Sequence, residues 1–228
     1  MTLYAGTSGF SYAAWRGTFY PPDLSASRML SFYAQRLNGV ELNATFYRTP
    51  RPSTLVKWAG DTPATFRLCC KGHRALTYSG PAFDKEAIAR SVAGQLATLG
   101  TRLGPVLLQF PPTAAKDAGL LERVLIALDV RAAVEFRHAS WFAEDVYAVL
   151  RQHGAALVVT DGERWPTAPR LDLGPVAYYR LRQEEYDATT LRRWRDELRE
   201  EAATREVHVY FRHVPAATSW ARSMLESA

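Results

Sequence analysis

Residues 40–50 read VELNATFYRTP: a short apolar run with the look of a buried strand carries Glu41, then Asn43, and turns through Thr45, Phe46, Tyr47 and Arg48. A carboxylate and an amide at the edge of a core need partners, because an unpaired buried polar group is costly. The pattern recurs along the chain. Other apolar runs end on Lys71, on Gln109, on Glu135 with Arg137, on Arg180 with Arg182, and on Tyr210 with Arg212. Apolar residues such as Leu42, Leu68, Phe110, Phe136, Leu181 and Phe211 intervene. A strand repeats every two residues, so the polar groups fall on one face and gather where the strands end.

Several chemistries fit such a set. Glu41 and Glu135 sit on different strands and are the candidate acid/base pair, as hydrolysis of a glycoside would require. Arg137 and Arg180 are in reach of both, and a bidentate guanidinium would hold a carboxylate ionised. The five histidines (His73, His138, His153, His208, His213) show neither H-x-H nor H-E-x-x-H spacing. No metal or other cofactor is assigned, although a divalent ion held by Glu41, Glu135, Asp161 and His213 from separate strands stays open. Cys69 lies mid-strand and Ser8 has no identifiable base, which weakens nucleophilic catalysis by either. Anion binding accounts for more of the set. Lys71, Arg137, Arg180, Arg182, Arg212 and His213, with Arg48 and His73 nearby, outnumber Glu41, Glu135 and Asp161, and guanidinium forks suit phosphate. Asn43 and Gln109 add neutral hydrogen-bonding groups; Tyr47 and Trp141, with Phe46, Trp15 and Trp165, offer rings for stacking.

Eight apolar runs can position these groups: 3–6, 39–42, 66–70, 105–110, 132–136, 156–160, 176–181 and 207–211. Helical spacing with start or stop signals occupies 27–37, 84–99, 116–128, 144–153 and 188–203. Strand and helix alternate, which predicts a parallel sheet, and eight such units in one domain over residues 1–228 predict a compact α/β fold, a (β/α)8 barrel of the TIM type. The helix after strand six is expected to be short or missing, because DGERWPTAPRLDLG is rich in breakers. An open doubly wound sheet is less suited, since no G-x-G-x-x-G follows the first strand. In a barrel one strand face points inward and ligands bind at the C-terminal ends, where the polar residues lie. The charged segment 188–203 reads as a solvated outer face.

Composition sets outer limits. A formal charge of +5 and a sequence pI near 9.3 favour an anionic partner without requiring one. The two cysteines, Cys69 and Cys70, are adjacent and point to opposite faces of a strand, so a disulfide between them is disfavoured and a reducing, cytoplasmic location is expected. The N-terminus does not read as a signal peptide, and no apolar stretch reaches the roughly 18 residues of a membrane span.

Four linked motifs, GTSGFSYAAWRGTFYP (6–21), VELNATFYRTP (40–50), LLQFPP (107–112) and VEFRHASWF (134–142), resemble the domain-of-unknown-function family 72, the YecE-like proteins, across nearly the whole chain. The resemblance implies a barrel of this type and brings no established reaction. Residues matching the family pattern include Ser8, Glu41, Asn43, Lys71, Gln109, Glu135, Arg137, Trp141 and Arg180. Three places depart from it: Thr77-Tyr78 stands where the family has Thr-His, Arg182-Gln183 where it has His-Gly, and Arg212-His213 where it has paired Asn.

The expectation is an enzyme acting on a small phosphate-bearing or otherwise anionic substrate at the barrel mouth, a hydrolase or a lyase or isomerase, with Glu135 or Glu41 moving a proton. The alternatives are a nucleic-acid-binding protein, with basic loops tracking a backbone and aromatic rings stacking on bases, and a barrel that binds a partner without catalysis.

Overall fold

The computed structural model describes residues 2–78, 83–162 and 164–226. Eight parallel strands form: β1 (Leu3–Thr7), β2 (Gly39–Leu42), β3 (Arg67–Cys70), β4 (Val106–Phe110), β5 (Ala132–Phe136), β6 (Ala156–Thr160), β7 (Val176–Leu181) and β8 (Glu206–Phe211). Each coincides with an expected run to within about a residue. Between them lie α1 (Met29–Ala34), α2 (Pro52–Asp61), α3 (Lys85–Leu96), α4 (Ala118–Leu128), α5 (Glu144–Gln152) and α6 (Ala188–Glu201), and α7 (Ala217–Leu225) follows β8. No helix joins β6 to β7 among the described residues, as the breakers there foretold. The sequence reading omits α2 and α7. Pro50 and Pro52 hide the start of α2, yet Pro52 occupies the first turn, where a missing N–H is harmless. Three helices start where an aspartate caps them: Asp84 accepts from the Ala87 N–H, Asp117 from Leu120 and Asp187 from Thr190.

Continuous ladders run through β1-β8-β7-β6-β5-β4, and β2 pairs separately with β3. Two narrower seams close the barrel. Between β3 and β4 the Gly72 N–H donates to the Leu107 carbonyl at 2.8 Å, and that of Gly104 to Leu68 at 3.1 Å. Between β1 and β2 one backbone bridge forms among the described residues, Ser8 to Glu41, with the Gly9 N–H donating to the Glu41 carbonyl at 2.7 Å. Side chains replace the rest of that ladder. Asn38 accepts from the Ala5 N–H and donates to the Leu3 carbonyl, both at 2.8 Å. The Tyr33 hydroxyl accepts from the Thr7 N–H at 2.9 Å and donates to the Gly39 carbonyl at 3.1 Å. Gly6 makes the approach possible: a Cβ there would lie 1.9 Å from the Gly39 carbonyl oxygen.

Inward residues Cys69, Leu107, Ala133, Ala156, Val158, Val176, Tyr178 and Tyr210 fill the barrel, and a larger apolar layer packs its outside against the helices. The small residues of β5 and β6 face the tyrosines of β7 and β8, the size alternation that fills a narrow interior. Helix α6 buries Trp194 and Leu198 and turns its charges outward, where Arg170 pairs with Glu197. Among the described residues no helix is long and apolar enough to cross a membrane.

Tyr33→Phe should test the seam. It leaves the Thr7 N–H and the Gly39 carbonyl without their buried partner, so denaturant unfolding should show a loss of about 1–3 kcal/mol. At roughly 2–4 °C per kcal/mol for a chain of this size, Tm should fall accordingly.

Candidate functional site

The C-terminal strand ends carry the polar set. The turn that follows β2 is fixed by Thr45, whose hydroxyl lies 2.7 Å from the Leu42 carbonyl and 2.6 Å from that of Lys71, tying the ends of β2 and β3 together. It leaves Glu41 pointing inward with no exposure at all.

Every lone pair of Glu41 is engaged. Oε1 accepts from the Ser8 hydroxyl at 2.7 Å, Arg180 Nη2 at 2.8 Å, Arg182 Nη2 at 3.1 Å and Asn43 Nδ2 at 3.3 Å. Oε2 accepts from Arg180 Nε at 2.9 Å and the Tyr178 hydroxyl at 3.0 Å. Arg180 thus forks onto Glu41, and its remaining nitrogen, Nη1, bonds Glu135 Oε2. Glu135 Oε1 in turn accepts from Gln109 Nε2 and Arg137 Nε, each at 2.8 Å. One guanidinium therefore joins carboxylates from β2 and β5, with β7 supplying it.

Charge decides their ionisation. Burial by itself would raise the Glu41 pKa, but Arg180 and Arg182 overcome it and hold the carboxyl far below its ordinary 4.5. Glu135, likewise raised by burial and lowered by Arg180 and then Arg137, falls to about 2. Both are kept ionised, the opposite of what a general acid needs. Lys71 differs. Its Nζ donates to Gln109 Oε1 at 2.6 Å and lies 4.2 Å from the centre of the Phe46 ring; burial, then the Arg180 charge, lowers its pKa to about 8. His213 is lowered as well, by burial and then by Arg212 and Arg182.

A cleft of about 510 Å³ opens above this network, lined by Ser8, Asn43, Glu135, Arg137, Thr160, Gly162, Arg164, Trp165, Arg180, Arg182, Arg212 and His213. Seven of the expected site residues, Asn43, Glu135, Arg137, Arg180, Arg182, Arg212 and His213, are thus brought together. Glu41 lies beneath them, and Lys71 and Gln109 sit beside them through the bond to Glu135. Tyr47 and Trp141 are not in the lining. Tyr47 is 72% exposed and packs edge-on against Phe46. Trp141 is 1% exposed, stacks on Phe136 at 4.5 Å and donates its indole N–H to the Ala114 carbonyl at 2.7 Å, so it belongs to the apolar layer outside the barrel. Trp15, buried against Tyr12, also lies outside the cleft lining.

Arg164 and Thr160 escape the sequence reading, and Trp165 enters it only as a ring for stacking. Thr160 ends β6, where parity with the inward Val158 was its signal; for Arg164 and Trp165 the signal was the helix-less connection that follows β6. There the Trp165 ring lies 4.9 Å from Arg164 Cζ and 5.2 Å from that of Arg137. Among the described residues no three His, Cys, Asp or Glu side chains converge as metal ligands. Asp161 is engaged instead with the Arg182 N–H at 2.6 Å and with the Tyr186 hydroxyl.

A closed parallel barrel with a polar cleft at its C-terminal mouth places the protein among the (β/α)8 proteins that keep their ligand sites there. Within that class the chain belongs to the DUF72 family, described as a protein of unknown function, whose pattern matches residues 4–227. It is 28% identical over 155 residues to the UPF0759 protein YunF of Bacillus subtilis, covering 64% of this chain and 54% of that protein. Against the UPF0759 protein YecE of Escherichia coli K12 the identity is 27% over 140 residues, 58% and 52% of the two chains. The chain spans about half the length of these curated relatives. The crystal structure of a DUF72 family protein from Thermotoga maritima superposes with a TM-score of 0.85 at 27% identity, over 99% of this chain and 98% of that one.

Two outcomes follow from the geometry. Trp141→Ala should destabilise the fold by about 3–5 kcal/mol in urea unfolding, the cost of emptying a buried aromatic site. The arginine clamp sets a pH dependence. Glu41 and Glu135 are held below their ordinary 4.5, so their stabilisation is complete above that pH and is lost as pH falls through it toward their folded values. Urea midpoints of the wild type should drop from about pH 4.5 downward, and Arg180→Met should both destabilise at pH 7 by about 3–5 kcal/mol and flatten that acid limb.

Proposed function

We propose that the protein is an enzyme whose cleft binds a small anionic substrate, phosphate-bearing for preference, within a single barrel domain. The observation that carries this reading is the charge of the cleft. Six cationic side chains, Lys71, Arg137, Arg164, Arg180, Arg182 and Arg212, meet four carboxylates, Glu41, Glu135, Asp161 and Glu184, among the described residues. Glu41, Glu135 and Glu184 are spent on guanidinium groups and Asp161 on the Arg182 backbone N–H and the Tyr186 hydroxyl, whereas Arg137 uses only Nε on Glu135 and Arg182 Nε has no partner among the described residues. Donors left over in a cleft wall are what an oxyanion needs. On this reading Glu41 and Glu135 orient the arginines and do not shuttle protons, which revises the acid/base role expected of them. The free, buried state of both cysteines supports a reducing, cytoplasmic location.

Arg164 is exposed and makes no hydrogen bond to the other described residues, so it separates binding from stability. Inorganic phosphate should raise Tm, and calorimetric titration should show Arg164→Ala weakening phosphate by roughly fivefold, about 1 kcal/mol, with the Tm of the free protein unchanged. A phosphate affinity unmoved by Arg164→Ala and by Arg137→Ala together would overturn the reading. Binding confined to oligonucleotides, with a steep fall in affinity as salt rises, would point to a nucleic-acid backbone in its place.

A further inference from the structure

The chain has four lysines, and three of them have charged or backbone partners, although burial lowers the pKa of Lys85 as well. Lys57 pairs with Asp61 at 2.6 Å and Lys116 with Asp145 at 2.7 Å, both on the surface. Lys85 donates to the carbonyls of Ala75 and Tyr78. Lys71 stands apart. It follows β3 at the barrel mouth, between the ends of β2 and β4, and reaches the edge of the cleft through Gln109, whose amide bonds the lining residue Glu135. Among the described residues no carboxylate forms an ion pair with it; its one hydrogen-bond acceptor is the neutral oxygen of Gln109. The Phe46 face covers another side.

The charged groups that act on Lys71 come from three other strands: Arg180 from β7, Glu41 from β2, and Glu135 with Arg137 beside β5. Glu41 and Glu135 would raise its pKa, but each is neutralised by the arginine clamp, so burial and Arg180 prevail and leave it near 8. A sizeable part of the amine is then unprotonated close to neutral pH, the condition under which a lysine becomes a nucleophile. Other nucleophiles are unsuited. Cys69 and Cys70 are fully buried, and the Ser8 hydroxyl donates its proton to an ionised carboxylate that has no capacity to act as its base.

We propose that Lys71 is the nucleophile of this cleft, an amine that adds to the aldehyde or ketone carbonyl of a substrate whose anionic group is held by Arg137, Arg164 and Arg182. The identity of that second group rests on the anion-binding reading above; the reactivity of the amine does not. In the step, the nitrogen lone pair forms a C–N bond and the carbonyl π pair moves to oxygen, which is protonated from solvent. The nitrogen of this adduct passes its surplus proton to the new hydroxyl, which leaves as water as the C–O bond breaks, and the nitrogen lone pair closes a C=N⁺ iminium on Lys71 that can withdraw electrons from the neighbouring carbon. Lys71, Gln109 and Glu135 form one hydrogen-bonded row, so Gln109 aims the nitrogen without supplying a charge that would hold its proton.

Pyridoxal 5′-phosphate, an aldehyde that carries a phosphate, is the probe. The native protein is treated with it at limiting concentration near pH 7.5, reduced with borohydride, digested, and mapped by mass spectrometry. The expected result is one reduced adduct, on Lys71, formed at least tenfold faster than any on Lys57, Lys85 or Lys116, slowed by inorganic phosphate and absent from Lys71→Arg. Labelling spread over the other lysines with Lys71 unmodified, or modified no faster than they are, overturns the proposal. Pyridoxal lacking the phosphate separates the two readings. If it labels Lys71 as fast as the phosphorylated probe and phosphate does not compete, the amine stands and the anion reading falls; if the phosphorylated probe binds reversibly but never reduces onto Lys71, the anion reading stands and the amine falls.

Discussion

The mouth of the barrel depends on one guanidinium placed between two carboxylates. Arg180 gives two nitrogens to Glu41 and the third to Glu135, with a side chain only 7% exposed. Two buried carboxylates alone would carry a large desolvation cost and repel each other, and one buried arginine alone would be as costly. Together they still leave charge to place, since two anions face one cation. Arg182 and Arg137 supply the balance, one on each glutamate, and those two residues also form the cleft wall. Solving the burial problem below therefore creates the positive surface above.

The same constraint reaches the weakest seam of the barrel. Among the described residues strands β1 and β2 share a single backbone bridge, Ser8 to Glu41, and its two residues also meet through their side chains. The Ser8 hydroxyl accepts from Arg182 at 2.8 Å while donating to Glu41. Closure of the barrel and orientation of the arginine thus pass through one residue pair. Lower down, where Gly6 brings the strands too close for side chains between them, Tyr33 and Asn38 take over the ladder. The interior beneath stays polar in part: Cys69 and His208 share the Tyr210 hydroxyl, and His208 Nε2 lies 2.8 Å from Glu206. Burial holds that histidine neutral, so it satisfies the core without adding charge.

Strand order, inward parity and the missing sixth helix were legible because each rests on local pattern: period-two alternation, a run of breakers, or an aspartate before an apolar helix face. The polar mouth was legible for the same reason, since parity alone aims Glu41, Lys71, Gln109, Glu135 and Arg180 into the barrel. The place of Trp141 was not legible, because its position just after β5 says nothing of which way a single 3-10 turn will face it, and Phe110 and Phe136 offered an apolar slot on the outer side. The exposure of Tyr47 on its turn was hidden in the same way. The role of the two glutamates could not be read at all from strand positions. It depends on which guanidinium nitrogen meets which oxygen, and only the three-dimensional arrangement fixes that.

The places where this chain departs from its family pattern bear directly on that arrangement. Of the three departures that the resemblance implies, Arg182 and the Arg212-His213 pair fall in the cleft lining. The third, Thr77-Tyr78, lies outside the cleft lining, with Tyr78 packed edge-on against Phe46. A histidine at 182 would be largely neutral near pH 7 and could give Glu41 one hydrogen bond; the arginine gives a full charge and a second bond, to Ser8. Glu41 is then neutralised twice over, which frees part of the Arg180 charge for Glu135 and the cleft. Arg182 and Arg212 thus add to the positive charge that the clamp already presents to the cleft. The Lys71 pKa is lowered by burial first and then by Arg180 and Arg137, so the clamp and the lysine are coupled directly, and Arg182 reaches the lysine only through the Glu41 that it shares with Arg180.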